Sequence, residues 1–392
     1  MVTIRASEQG LLQIDRARRR KGWLKQSEIW CRMAQTSRAT LKRFWRCEAI
    51  EQGTFIAICQ AVGLSDWEAI CESDQGANEL HLCLSAMPDV PIFLGRTADL
   101  VQLTEWAKRC RLIVLWGMGG IGKTSLVAEW VESFMRSGAA AQEFEAIFWR
   151  SLQYNPSLEA LSEILTSLQH RNLIILDNWE VLLGGTSAGQ VKPECAEFSQ
   201  MLQQIGTSRH KSCVVIISRE KPAELALLEG MNPLIQSYKL KGLGEDAIAL
   251  LQHRGLQEEQ SAWQALIQLY RGNPLALNMV ASLIQEMCQG STTAFLKMNT
   301  IVVHQLNNVL AERIQCLSKI ELDVLRTLAQ VGEPVSREWL QDKIEASRSQ
   351  LLEILLSLER RCLLEILSED TVLFALAPIV QKYITQQTPH SI

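Results

Sequence analysis

Hydrophobic and polar positions along this chain change their period several times, and the changes mark out its parts. Up to about residue 85 the apolar residues recur at short helical spacings. Leu11, Leu12 and Ile14 open a helix that runs from a Ser7 cap into the basic stretch Arg16 to Lys21. Further helices are expected over 26–34, 39–47 and 51–62, with Thr36 and Ser37 as a turn and cap before the third. Leu64, Trp67 and Ile70 mark a short fifth. The pattern predicts an all-α, helix-turn-helix-like module over residues 1–85. Met87-Pro88-Asp89-Val90-Pro91 then reads as a linker, 86–91.

Between residues 92 and 240 the two periods alternate. An amphipathic stretch, 97–110, leads into the apolar run Leu112 to Trp116, and the runs 146–149, 172–176 and 212–217 also have strand character. Segments such as 157–168, with helical spacing, lie between them. Strands alternating with helices predict an α/β domain with a buried parallel sheet. After Leu240-Lys241-Gly242-Leu243 the spacing is helical over 245–253, 261–270 and 274–286, which makes a helical arm over 241–304. The last part, 305–392, shows helices at 318–330, 335–344 and 347–361. Two short strands follow, 363–366 and 372–375, around the turn Ser368-Glu369-Asp370. Three helices and a hairpin predict a winged helix.

Candidate chemistry concentrates in the α/β part. The strand Leu112–Trp116 runs into Gly117-Met118-Gly119-Gly120-Ile121-Gly122-Lys123-Thr124, and helix-compatible residues begin at Ser125. Strand, loop and helix in that order are what the phosphate-binding pattern G-x-x-x-x-G-K-[ST] requires, although glycine-rich strand-to-helix turns also occur in packed α/β sheets. Gly117, Gly119, Gly120 and Gly122 let backbone N–H groups, Ile121 included, turn towards phosphate oxygens. The helix N-terminus at Thr124 and Ser125 favours an anion. Lys123 is placed to reach the β- and γ-phosphates and Thr124 to ligate Mg²⁺. About 50 residues on, four apolar residues end at Asp177, a carboxylate delivered to the same Mg²⁺. Asn178 follows it where a catalytic acid would stand, and Glu180 is the nearest substitute. Arg219, at the end of the run 212–217, is a candidate γ-phosphate contact. Its spacing fits equally an arginine paired with a surface carboxylate. In Gly272-Asn273-Pro274-Leu275-Ala276-Leu277, helix capping alone accounts for Gly272 and Pro274.

Charge and composition narrow the classes of function. A net charge of −4 with 47% hydrophobic and 21% charged residues is ordinary for a globular protein and argues against global polyanion binding. The charge is uneven, however. Residues 1–72 hold twelve Lys/Arg against eight Asp/Glu, so the rest carries −8. Arg38, Lys42, Arg43 and Arg46 put positive charge on one helix of that basic part, a DNA footprint or a solvated face. Trp23, Trp30, Trp45 and Trp67 read as core rather than as stacking platforms. The eleven cysteines are scattered without metal-ligand spacing, and the N-terminus lacks an apolar targeting segment. No run approaches the ~20 apolar residues of a membrane span. The expected compartment is the cytoplasm, with no membrane partner.

The order of motifs resembles the NB-ARC branch of the STAND signalling ATPases. The resemblance covers roughly residues 92–385: Phe93-Leu94-Gly95-Arg96, GMGGIGKTS, LIILDNWE, VVIISR, YKLKGLGEDAIALL, GNPLAL and FALAPIVQKYI. The N-terminal module is similar to helix-turn-helix-like domains on cyanobacterial proteins of this type. The resemblance implies an ATP/ADP-binding switch with Mg²⁺ and slow hydrolysis, which opens or assembles with itself or a protein partner in the ATP state. By position it implies that Arg96 and its neighbours touch the adenine side and that Lys123 and Thr124 hold phosphates and Mg²⁺. Asp177 would be the acid, Arg219 a sensor and Pro274 a nucleotide contact from the arm. Two departures stand out. Leu376-Ala377-Pro378 offers no histidine where the family's winged helix contacts ADP, and Asn178 replaces a second acid. No internal repeat follows. The alternative is a nucleotide-regulated transcription regulator that reads DNA through residues 1–72. A fast housekeeping ATPase is a third reading, against which Asn178 argues.

Overall fold

The structure is a computed structural model. It describes residues 3–6, 8–64, 67, 70–72, 80–153, 164, 166, 168–184, 188–257, 259–298, 310, 311, 313–368 and 371–387. Ser7, most of the expected helix 157–168, the stretch 305–309 and the hairpin turn at Glu369-Asp370 lie outside the described residues. The chain divides into two compact units, Met1–Glu79 and Leu80–Ile392.

In the first unit, helices Glu8–Arg20, Glu28–Met33, Arg38–Trp45 and Gln52–Ala61 surround Ile14, Trp30, Leu41, Phe44, Phe55 and Ile58. Ser37 caps the third helix, its hydroxyl accepting from the Thr40 amide at 3.1 Å. Trp30 is fully buried and donates to the Ile58 carbonyl, while Trp23, Trp45 and Trp67 pack around the same core. The unit is not purely helical as expected. Strands β1 (Thr3–Ala6), β2 (Ile50–Glu51) and β3 (Cys71–Glu72) form a small antiparallel sheet in the order β2-β1-β3. Strands of two to four residues are too short to show an alternating pattern, and their pairing joins residues some 50 and 70 positions apart.

The second unit is built on a six-stranded parallel sheet. Its strands are β4 (His81–Cys83), β5 (Leu112–Trp116), β6 (Ala146–Ser151), β7 (Asn172–Asp177), β8 (Cys213–Ser218) and β9 (Ile235–Lys239), in the order β4-β6-β7-β8-β5-β9. Successive residues feed opposite faces. Ile113, Leu115, Ile175 and Val215 pack with Leu126, Trp130 and Trp106, whereas Leu112, Val114, Leu176 and Val214 pack with Leu202, Ile205 and Trp179. Residues 80–85 were expected in the N-terminal module, but β4 pairs with β6 as a sheet edge. Met87 and Val90 of the expected linker pack against the α/β core. Prolines bar this stretch from the sheet, yet its apolar side chains still gain by burial. Strand β9 has no counterpart among the expected strands, because an edge strand carries polar residues such as Gln236, Ser237 and Lys239.

The arm consists of helices Ala247–His253, Gln260–Leu269, Pro274–Cys288 and Thr292–Lys297. Behind it, helices Lys319–Val331, Arg337–Lys343 and Arg348–Arg360 accompany strands β10 (Val335–Ser336), β11 (Glu365–Ser368) and β12 (Val372–Ala375), in the order β10-β12-β11. The three helices and the hairpin were expected, but residues 335–336, expected to open a helix, pair with β12 as a third strand. Ser318 with Glu321 and Ser347 with Gln350 form capping boxes that set the starts of two of its helices. A terminal helix, Pro378–Gln387, closes the module. Leu250, Leu266 and Leu277 of the arm share one core with Leu325, Leu355 and Val380. Among the described residues no helix is long and apolar enough to cross a membrane.

Candidate functional site

Parallel pairing aligns the carboxyl ends of three central strands. Trp116 lies opposite Ser218 and Ser151 opposite Asp177, so the loops after β5, β7 and β8 open on one side of the sheet. The loop after β5 turns directly into the helix Lys123–Arg136. Gly120 has φ +75°, and a Cβ there would lie 2.6 Å from the Leu275 side chain, so only glycine lets the arm approach this closely. The arm also bonds the loop: Asn273 Nδ2 donates to the Gly119 carbonyl at 3.0 Å, and the Leu275 amide donates to the Gly120 carbonyl at 3.2 Å. Asn273 caps the helix that begins at Pro274 as well, its Oδ1 accepting from Ala276. Capping and loop clamping therefore fall to a single side chain, to which the sequence reading, resting on Gly272 and Pro274, gave neither role.

Lys123 is buried, and its Nζ donates to the carbonyls of Gly117 and Met118 at 2.9 and 3.0 Å. Burial lowers its pKa to about 8, with Glu180 opposing the change. Thr124 Oγ1 donates to Asp177 Oδ1 at 3.2 Å, and the same oxygen accepts from the Asn178 amide at 2.8 Å. Burial dominates at Asp177 too and raises its carboxyl to about 6. Asn178, in a left-handed conformation with φ +61°, turns its Nδ2 to Ser151 Oγ and Gln153 Oε1. Arg219 Nε sits 2.8 Å from Glu180 Oε1, and its amide donates to Glu180 Oε2. Of its two sequence readings, Arg219 here has the carboxylate partner, and that carboxylate belongs to the same cavity.

That cavity, of about 350 Å³, is lined by Gly119, Gly120, Gly122, Lys123, Thr124, Ser125, Asp177, Asn178, Glu180, Arg219 and Pro274, among others. A second cavity, of about 410 Å³, shares Gly122, Ser125, Pro274 and Asn278 with it and adds Phe93, Leu94, Arg96, Leu243, Leu250 and His253. The first is lined by the glycine loop, and the second sets apolar side chains such as Phe93, Leu94 and Leu250 beside Arg96, His253 and Arg254, which together leave room for a phosphate chain on a flat heterocycle. Arg96 is buried between them. Its Nη2 donates to the carbonyls of Ile121 (2.7 Å) and Lys241 (3.0 Å) and its Nη1 to Asp99, so it braces the loop. Gly117 and Ile121 stand behind the loop rather than on the cavity wall: a Cβ on Gly117 would lie 2.9 Å from the Leu240 carbonyl. Leu376 and Ala377, where a histidine was sought, are buried in the C-terminal core.

The residues suit a Mg-nucleotide. The glycine turn leaves a cradle, a buried ammonium faces it, and a threonine hydroxyl touches a carboxylate, a donor pair that Mg²⁺ shares with phosphates and waters.

Comparison with solved structures bears on the fold. The chain superposes on the Walker-type ATPase paby2304 of Pyrococcus abyssi with a TM-score of 0.51, covering 75% of this chain and 96% of that one at 15% identity. This chain has a P-loop NTPase fold. A looser likeness, TM-score 0.35 at 19% identity, links 78% of the chain to 44% of a STAND protein with a tetratricopeptide repeat sensor, PH0952 from Pyrococcus horikoshii. No family model matches. Among curated proteins, an uncharacterized WD repeat-containing protein of Nostoc sp., alr2800, is 33% identical over 455 aligned residues, 98% of this chain. The chain spans about a third (36%) of that relative's length.

The C-terminal module is ion-paired to residues just beyond the strand ends and to the arm. Lys239 pairs with Glu359 at 2.7 Å, Arg361 with Glu220 at 3.3 Å, and Arg271 of the arm with Glu365 of β11 at 2.8 Å. Arg313, just ahead of the capped helix Lys319–Val331, donates to the Arg361 carbonyl at 3.1 Å and lines a small cavity with Met118 and Gly119. Residues 305–317 carried no sequence signal that could have found it.

Proposed function

We propose that this chain is an ATP/ADP-binding signalling switch of the NB-ARC type, in which the nucleotide state controls whether the arm and the C-terminal module stay docked on the α/β domain. One observation carries this reading. The arm hydrogen-bonds the phosphate loop itself, at Gly119 and Gly120, while the C-terminal module is ion-paired to the ends of the strands that flank it. A ligand filling the loop therefore acts on the surfaces that hold the modules together. Such a switch needs ADP and ATP to stabilise different arrangements, since equal affinity shifts nothing.

Slow hydrolysis is the expectation that goes with this reading. Both oxygens of Glu180 are engaged by Arg219, the residue after Asp177 is an amide, and among the described residues that line the cavity Asp177, the Mg²⁺ candidate, is the one other carboxylate. When bound, Mg²⁺ would be held by Thr124 and Asp177 and would supply charge neutralisation on the phosphates. Lys123 and Arg219 would hold the phosphates in line, and Asn278 and Phe93 would face the base. The curated relative's WD repeats suit a nucleotide module coupled to a repeat sensor. The DNA-binding alternative draws less support. Arg38 pairs with Glu28, and Arg43 and Arg46 both approach Glu48, which reduces the positive field of that helix.

The test is limited proteolysis and hydrodynamic radius of the full chain with Mg-ADP and with a non-hydrolysable ATP analogue. Faster cleavage and a larger radius in the triphosphate state are expected. Identical behaviour in the two states would refute the switch.

A further inference from the structure

A cavity of about 480 Å³ lies behind the phosphate loop and shares no lining residue with the two cavities assigned to the nucleotide. Its walls come from all parts of the second unit. Met118 and Ile121 belong to the loop, and Lys239, Leu240, Lys241 and Gly242 to the connection between β9 and the arm. The arm adds Tyr270, Arg271 and Asn273, and the C-terminal module adds Glu359, residues 364–367, Ala377 and Ile379. The connection is held firmly against the arm. A Cβ on Gly242 would lie 1.8 Å from the Arg271 carbonyl, and the Leu243 amide donates to the Gly272 carbonyl at 2.9 Å. The volume falls within the ~300–1,000 Å³ of small-molecule sites.

Polarity and charge narrow the occupant. Ile366 and Leu367 line the cavity yet are 42% and 37% exposed, so one wall holds apolar surface that nothing in the fold covers. Ile121, Leu240, Leu364 and Ile379 supply more apolar lining. Of the charged residues, Lys239 pairs with Glu359 at 2.7 Å, and Arg271 pairs with both oxygens of Glu365 at 2.8 and 3.1 Å. Lys241 is left over. It is exposed, and among the described residues it pairs with no carboxylate. Three cations against two anions leave the lining with one positive charge. A polyphosphate would bring more negative charge than one lysine balances, whereas a single carboxylate matches it.

We infer that this cavity binds a small monoanionic amphiphile, one carboxylate on an apolar body, with Lys241 at the carboxylate and Ile366, Leu367 and Ile379 against the body. Its regulatory consequence rests on the proposed switch. Glu359, residues 364–367, Ala377 and Ile379 leave with the C-terminal module when it undocks, so the ligand has a complete site only in the docked arrangement. At ten times its Kd, such a ligand favours that arrangement about elevenfold. It therefore opposes the triphosphate and, by reciprocity, binds more tightly when ADP is present. Its contact with Met118 and Ile121 puts it on the back of the loop, while Gly119, Gly120 and Gly122 face the nucleotide cavity on the other side.

The experiment is calorimetric titration of the full chain, loaded with Mg-ADP, using decanoate, 2-naphthoate and 1-decanol below their aggregation concentrations. The two acids distinguish an aliphatic from an aromatic body, and the alcohol removes the charge. Binding of at least one acid, at one site per chain, is expected. Lys241→Gln should weaken it about fivefold, the loss of one exposed ion pair, and leave 1-decanol unchanged. Ile366→Ser should weaken it by about fivefold or more. Val372→Ser, which trims a 53% exposed side chain of the same hairpin outside the cavity, should not. All three positions are exposed, so the variants should melt with the wild type. With the acid at ten times its Kd, apparent affinity for a non-hydrolysable Mg-ATP analogue should fall about tenfold. Failure of both acids to bind, or equal losses in I366S and V372S, overturns the site. An equal loss of 1-decanol in K241Q overturns the role of the charge, and binding that leaves nucleotide affinities unchanged overturns the regulation. If ADP and the triphosphate analogue give identical proteolysis without any acid, the switch reading falls, and the titrations alone decide the site.

Discussion

Asp177 is expected to make the ligand-free protein less stable than an amide at the same position, and the amount can be worked from its surroundings. The carboxyl is 5% exposed at the end of a buried strand, and burial moves it from its ordinary 3.8 to about 6. At pH 7 the charged form is therefore held at a cost of about 3 kcal/mol relative to the unfolded chain. Asp177→Asn keeps an oxygen for both the Asn178 amide and Thr124 Oγ1, but its new amide hydrogens need acceptors, which returns about 1 kcal/mol. The net expectation is a gain of about 2 kcal/mol for D177N at pH 7, read as a higher urea midpoint. The sign with pH follows. A folded carboxyl with a raised pKa adds stability that is complete below 3.8 and is lost as pH rises through about 6. The wild type should gain on D177N as pH falls from 7 to 4.5, and the gap should close. Affinity for Mg-ATP should drop in the same variant. A D177N protein that is less stable at pH 7, or a gap that stays constant with pH, would refute the electrostatic reasoning.

Three further outcomes are expected. Gly120→Ala places a Cβ against Leu275 in a left-handed conformation; it should cost about 1–2 kcal/mol of arm docking and lower nucleotide affinity, as reported by proteolysis and titration. Turnover of the wild type should fall well below the ordinary ~1–10³ s⁻¹ range, and E180Q should change it by less than about tenfold, because Glu180 is already occupied by Arg219; a loss of about a hundredfold or more in a steady-state phosphate-release assay would make Glu180 a base after all. For the N-terminal unit, retention on DNA at low salt that disappears in an R43A/R46A double variant would support the regulator reading, and no retention of the wild type would remove it.

Local order was largely written in the chain. A five-residue apolar run before GMGGIGKT, a second run closing on Asp177 and a third closing on Ser218 were enough to place a parallel sheet and its phosphate loop, because buried parallel strands need apolar residues on both faces and the turn needs glycine. Ser37, Ser318 and Ser347 announced helix starts for the same local reason, a side-chain oxygen meeting an amide two or three residues on. What the chain could not disclose is whatever depends on residues distant in sequence coming together. The tripeptide His81–Cys83 is a strand only because β6 offers it an edge, and Thr3–Ala6 only because residues near 50 and 71 flank it. Arg219 shows no preference for Glu180 until β8 lies beside β7. Gly272-Asn273-Pro274 reads as helix capping through Gly272 and Pro274 until the arm folds back and sets Asn273, 154 positions on, against Gly119. Sequence determined each element and the chemistry it carries, because backbone sterics and side-chain periodicity act over a few residues. Tertiary structure decided which charges face one another, because Coulomb and hydrogen-bond energies depend on separation in space.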